Sequence, residues 1–273
     1  MKFASLQVLL LLCLGLLSGC DKFEYHPYDT HISGSQGLTA RNIEQIQSQC
    51  AGKDTLRVAQ ISDTQRWYDE TQALVDAINA RGDVDFVIHC GDQSDFGLTK
   101  EFEWQRDIMA GFKMPWVCII GNHDCLGTGE DVYHAMYGSD DFAFNASFLH
   151  VVCLNTVAFE YDHSANVPDF TFIRSDRDSL LATDSLVLTN TIVAMHAAPG
   201  NEQFDNNISD FFNYSLRKYR GLLFCLCGHD HHTTTLYPYG DDLPFYMVAS
   251  ANRKTYILYT ITRNSYEREV VQL

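Results

Sequence analysis

Five short polar clusters, each closing an apolar run, carry the side chains that could do chemistry: Ser62-Asp63-Thr64-Gln65, Gly91-Asp92-Gln93-Ser94-Asp95, Gly121-Asn122-His123-Asp124, Met195-His196 and Gly228-His229-Asp230-His231. Carboxylate, amide oxygen and imidazole are the ligands that borderline divalent or trivalent ions such as Mn, Fe or Zn select. Two such ions about 3.5–4 Å apart stabilise both the entering and the leaving oxygen of an in-line displacement, so the chemistry this set implies is ester hydrolysis at phosphorus.

The clusters need a scaffold that brings them together. Asp63 ends the run Leu56 to Ile61, Asp92 ends Val84 to Cys90, and Asn122 ends Pro115 to Ile120. The intervals between these polar residues, 29 and 30 positions, each suit a strand, a crossover helix and the next strand. Thr71 to Ala80 and Glu101 to Gly111 read as the two crossover helices. Parallel strands joined in this way deliver their C-terminal ends to one edge of a sheet, where open α/β folds place ligands. His196 ends Thr191 to Met195, and His229 and His231 follow Leu222 to Cys227 through a turn at Gly228. In an extended segment the His-x-His alternation points both imidazoles the same way.

Asp-x-x, Gly-Asp, Gly-Asn-His-Asp, His and Gly-His-x-His in this order, over about residues 56 to 262, resemble the calcineurin-like metallophosphoesterase family. The resemblance implies an α/β fold in which a two-sheet β-sandwich is flanked by helices, α-β-β-α, with two metal ions at the strand ends. It also implies roles. Asp92 would bridge both ions, Asp63 and His231 would serve one, and Asn122, His196 and His229 the other. His123 would face the scissile phosphate and protonate the leaving oxygen or stabilise its charge, with Asp95 as the carboxylate that orients it.

Two positions depart from the family pattern. Gln65 stands where members usually carry a histidine; its neutral carbonyl can ligate a hard ion but donates more weakly than imidazole, so the first ion is expected to be held loosely, to be of a different kind, or to bind only with substrate. Phe96 stands where Ser/Thr protein phosphatases carry a phosphate-gripping arginine, which disfavours a phosphoprotein substrate handled in that manner; the expected substrate is a small phosphate mono- or diester. Arg66, beside the first motif, is a possible substitute or simply a solvated loop residue. The alternative to an enzyme is a lipid-anchored binding protein whose phosphoesterase site is degenerate at Gln65; His123 and Asp95 favour the enzyme, because ion binding alone requires neither.

The chain's start reads as an address. Lys2, the apolar run Leu6 to Leu17 and Leu17-Ser18-Gly19-Cys20 resemble a bacterial lipoprotein signal, implying export to the cell envelope and lipid attachment at Cys20. The expected organisation is a signal peptide over 1–19, a tether and N-terminal extension over 20–54, and one domain over 55–273. Removing the signal takes Lys2 alone among charged side chains, moving the formal charge from −16 to −17. Such a balance, without clustered Lys and Arg, argues against nucleic-acid binding by phosphate neutralisation.

Seven cysteines remain once Cys13 leaves with the signal and Cys20 is lipidated, an odd number without regular spacing. Cys90, Cys118, Cys153, Cys225 and Cys227 fall in apolar runs and are expected to be buried; Cys50 and Cys125 are the more exposed candidates. Asn42 to Ile46 has the spacing of a short amphipathic helix. Phe142 to Phe144 and Phe148 to Asn155 read as a hairpin turning at Asn145-Ala146. Thr233 to Tyr237, Pro244 to Ala249, Thr255 to Thr262 and Tyr266 to Val271 read as four antiparallel strands, while 156–190 reads as a cap or as a helix with loops.

Overall fold

The structure, a computed structural model, describes His26 and residues 29–161, 166–240 and 242–273. The expected signal peptide and the lipidation site at Cys20 lie outside the described residues.

In chain order the elements are α1 (Leu38–Cys50), β1 (Thr55–Ile61), α2 (Tyr68–Arg81), β2 (Phe86–His89), α3 (Thr99–Met109), β3 (Trp116–Cys118), α4 (Gly129–Met136), β4 (Phe142–Ala146) and β5 (Leu149–Leu154). They continue with α5 (Phe170–Ala182), β6 (Asn190–Met195), α6 (Ser209–Leu216), β7 (Leu222–Cys227), β8 (Thr234–Leu236), β9 (Phe245–Met247), β10 (Thr255–Thr262) and β11 (Tyr266–Gln272). They form a five-stranded sheet ordered β11-β10-β1-β2-β3 and a six-stranded sheet ordered β4-β5-β6-β7-β9-β8.

Side-chain alternation sorts these strands into four layers. Val58, Phe86, Ile88 and Val117 of the first sheet pack against Val151, Ile192, Ala194, Phe224 and Leu226 of the second. On the first sheet's outer face, Ala59, Ile61 and Val87 meet Leu74, Val75 and Ile78 of α2 and Phe102 and Met109 of α3. On the second sheet's outer face, Val152, Val193 and Met195 meet Ile173 and Leu180 of α5 and Phe212 and Leu216 of α6. The α-β-β-α sandwich follows, with both faces of its parallel strands covered.

The parallel pairs fix where the rims fall. Ile61 lies opposite His89 and His89 opposite Cys118, so β1, β2 and β3 end level with one another. In the second sheet Leu154 pairs with Met195, Ala194 with Leu226 and Cys227 with Met247. A buried polar residue links the two sheets: Gln60 donates to the carbonyls of Cys227 (2.8 Å) and Tyr246 (3.1 Å) and accepts from the Tyr259 hydroxyl at 2.7 Å.

Several local expectations change. The helix expected over Asn42 to Ile46 is the longer α1, which touches β3 and β4 and buries Ile46 and Cys50 in the inter-sheet core. Cys50 is therefore buried rather than exposed, and the second half of the extension is a structural wall. The first hairpin turns at Ser147, with φ 51°, instead of at Asn145-Ala146, because Asn145 stays in the ladder opposite His150 and accepts from its imidazole at 2.7 Å. The four closing strands split between the sheets, and β9 runs parallel to β7 while β8 and β9, β10 and β11, and β1 and β10 pair antiparallel. The stretch between β5 and β6 supplies α5, capped by the Asp169 carboxylate accepting from the amides of Thr171 and Phe172. None of the seven described cysteines forms a disulfide.

Candidate metal centre

Each rim turns sharply where its polar residues sit. Asp63, Asp92, His229 and His231 have φ of 52°, 61°, 75° and 59°, left-handed values that non-glycine residues rarely adopt and that cluster where a site over-determines the backbone. His229 and His231 thus reach one pocket through two left-handed kinks in a loop, and not through the extended alternation expected from the sequence.

Main-chain bonds tie the loops together. The amide of Asp63 donates to Gly91 O (3.0 Å), and those of Thr64 and Gln65 donate to Asp92 O at 2.9 and 3.1 Å. The Gly228 amide donates to His196 O at 3.0 Å, joining the second rim. Asp124, fully buried, gathers the amides of Asp92, Gln93, Ser94 and Gly121, each at 2.9 Å. Burial and the nearby Asp92 push its carboxyl up to about 7 against the pull of those donors. Gly91, at φ 94°, sits where a Cβ would come within 2.6 Å of His196 Nδ1.

Two ligand-like groups share one carboxylate. The atoms of Asp92, His196 and His229 lie within 4.8 Å of one another, as do those of Asp63, Asp92 and His231. His196 Nε2 is 3.4 Å from Asp92 Oδ2 and 3.0 Å from Asn122 Oδ1, and His229 Nδ1 is 2.9 Å from the same Asn122 oxygen. His231 Nε2 is 3.2 Å from Asp63 Oδ1. Gln65 is buried, turns its amide nitrogen to Asp92 Oδ2 at 3.3 Å, and leaves Oε1 without a hydrogen-bond partner.

The electrostatics match a site built for positive charge. Burial disfavours charge on both Asp92 and His196, yet each favours the charged form of the other. Asp92 is held low and His196 rises to about 10. The Asp63 carboxylate, by hydrogen bonding, raises His231 against its desolvation. His89, by contrast, is lowered to about 4 by burial and is core: Nε2 meets Thr64 Oγ1 at 2.8 Å and Nδ1 accepts from the Gly91 amide. Three carboxylate or amide oxygens, three imidazoles and an unpartnered buried carbonyl, converging on a shared carboxylate, fit a pair of cations in the 2+ or 3+ range.

His123 and Asp95 lie beside this group with one difference from expectation. The His123 amide donates to Asp92 Oδ1 at 2.9 Å, and its Nδ1 is 2.8 Å from the main-chain carbonyl of Asp95. The Asp95 carboxylate is 3.9 Å from Nδ1 and engages the Arg66 guanidinium instead. Glu101 of α3 holds this loop by accepting from the amides of Asp95 and Phe96 at 3.1 and 2.9 Å. One contributor had no motif to reveal it, Glu202, whose Oε1 is 3.3 Å from His229 Nε2, and the contact of Arg66 with Asp95, both residues that the sequence singled out, was not foreseen.

A helix-flanked sandwich whose two rims meet at a carboxylate and imidazole pocket defines the class of the metal-dependent phosphoesterases. Residues 56–233, more than half of the sequence, match the calcineurin-like phosphoesterase family, and the chain belongs to it. Among solved structures it is similar to GAP50, titled the anchor in the inner membrane complex of Plasmodium, at 11% identity over 81% of this chain and 85% of that one, with TM-score 0.62. A dimetal phosphatase from Danio rerio gives 12% identity, coverage of 80% and 98%, and TM-score 0.58. Purple acid phosphatase PPD1 from yellow lupin (Lupinus luteus) seeds gives 11% identity and TM-score 0.58, with 81% of this chain spanning 52% of that longer one. At such identities the likeness is one of fold. No curated protein matches.

Proposed function

We propose that the chain hydrolyses a small phosphate mono- or diester at a dinuclear site. The observation that carries this reading is the pair of ligand groups overlapping at Asp92, in a chain of this family. Asp63, Gln65 and His231 would hold one ion, Asn122, His196 and His229 the other, and Asp92 both. Bound there, the ions would neutralise phosphoryl oxygens and supply the hydroxide that attacks phosphorus. His196 is set for its part by Nδ1, which donates to Cys90 O at 2.6 Å and leaves Nε2 facing Asn122 and Asp92. His123, anchored through Nδ1, leaves Nε2 for substrate, where in its protonated form it donates to the departing oxygen.

The test is release of an activated aryl alcohol from mono- and diesters by protein supplied with Mn. Wild type turns over and Asp92→Asn does not. Equal background rates for both, across several metals that the wild type binds, would establish the degenerate binding site instead.

We further propose that the mature protein is exported and lipid-anchored at Cys20. Two or three acyl chains, at about 0.8 kcal/mol per buried CH₂, hold a protein on a bilayer where one is marginal. Cys20→Ala is expected to move the protein from the membrane pellet to the soluble fraction, and a pelleted variant would refute the anchor.

A further inference from the structure

Two imidazoles of the second rim present opposite nitrogens to the same point. His196 faces Asn122 Oδ1 with Nε2 and His229 faces it with Nδ1, the two nitrogens lying 3.2 Å apart. An imidazole gives a lone pair to a cation only from the nitrogen that lacks the proton, so the proton must be kept on the far side of each ring. For His196 the far-side acceptor is the buried carbonyl of Cys90. For His229 the far-side nitrogen is Nε2, and what it meets is Glu202 Oε1 at 3.3 Å.

We infer that Glu202 is a positioning residue that holds the His229 proton on Nε2 and so keeps Nδ1 free for a cation. This rests on the dinuclear reading above. Both partners are pinned by their loops. Asn201, next to Glu202, donates to the Asp230 carboxylate at 2.9 Å, fastening the Glu202 loop to the residue that follows His229. On the other flank Gln203 donates its side-chain amide to Glu160 at 2.9 Å, and its carbonyl accepts the Phe159 amide at 3.3 Å. Asn206 closes the same loop, donating to Asn201 O at 2.7 Å and accepting the Gly200 amide at 2.7 Å. The carboxylate is presented by a braced loop to a ring whose own backbone is fixed by the amide of His229 donating to Asp63 Oδ2 at 3.0 Å. With 79% of its side chain exposed, Glu202 is not a packing element, and its truncation is expected to leave the fold intact.

The experiment compares wild type, Glu202→Gln and Glu202→Ala by two readouts. Long-range ¹H–¹⁵N spectra of the metal-free protein report the His229 tautomer: the Nε2–H form in wild type and Glu202→Gln, a mixture of forms in Glu202→Ala. Titration with Co(II) reports site affinity, with Glu202→Ala weakening one of two sites by about 10- to 100-fold and Glu202→Gln falling between. Unchanged tautomer and unchanged affinity in Glu202→Ala, at unaltered Tm, would overturn the assignment. If wild type took up no cation while the tautomer still shifted, the dinuclear reading would fail and the Glu202 contact would stand.

Discussion

At the scale of single residues, His123 and Asp95 separate two ways of orienting the imidazole proposed as the proton donor. Because the main-chain carbonyl of Asp95 takes the Nδ1 contact, removing the side-chain charge does not release the ring. Asp95→Asn is expected to lower kcat by less than tenfold, whereas His123→Ala removes the proton donor and is expected to cost about 10²- to 10⁴-fold. Steady-state rates on a poor leaving group, where protonation matters most, measure the contrast. An Asp95→Asn loss as large as that of His123→Ala would show that the carboxylate does the orienting. The sequence named the side chains that the site gathers, since Asp, Asn and His after apolar runs carry a readable chemical type. It could not show that Arg66 takes up the Asp95 carboxylate or that Glu202 stands behind His229, because neither contact has a fixed spacing along the chain.

Elements determine whether those side chains converge. The loops after β1, β2 and β7 carry left-handed residues, and one glycine provides the room that the His196 ring occupies. Gly91→Ala would bring a methyl group against His196 Nδ1 at a φ of 94°. The expected cost is about 1–3 kcal/mol from overpacking, with a larger loss of metal uptake than of secondary structure, read by calorimetry against metal titration. Metal uptake unchanged at a lowered Tm would mean that His196 yields without leaving its place. Strand identity was legible in runs such as Leu222 to Cys227, and the helices between β1, β2 and β3 in their intervals. Strand partners were not, because alternation shows which face is buried and is silent on the neighbour, so nothing in Pro244 to Ala249 announced that β9 lies parallel to β7. The turn at Ser147 was misplaced because Asn145, a good turn former, is retained in the ladder by His150.

For the molecule as a whole, acidity has a cost that pH exposes. Asp141, at the entry to β4, is pushed up to about 8 chiefly by burial, opposed by the Asn155 amide and reinforced by Asp140. A carboxyl whose folded value exceeds its ordinary 3.8 adds stability below the ordinary value and loses it as pH climbs through the folded one. Asp141→Asn keeps the acceptor for Asn155 and is expected to flatten the fall in Tm between pH 5 and 8.5, becoming the more stable form at the upper end. Parallel Tm curves for the two proteins would place the titration elsewhere. The order of the first sheet bears on how the molecule is made. The strand leading to Asp63 lies between β2 and β10, with Val58 opposite Tyr259, a partner synthesised some two hundred residues later. A nascent chain therefore carries an unsatisfied strand edge until β10 emerges, the condition in which chaperones are recruited and termination ahead of β10 leaves an adhesive product.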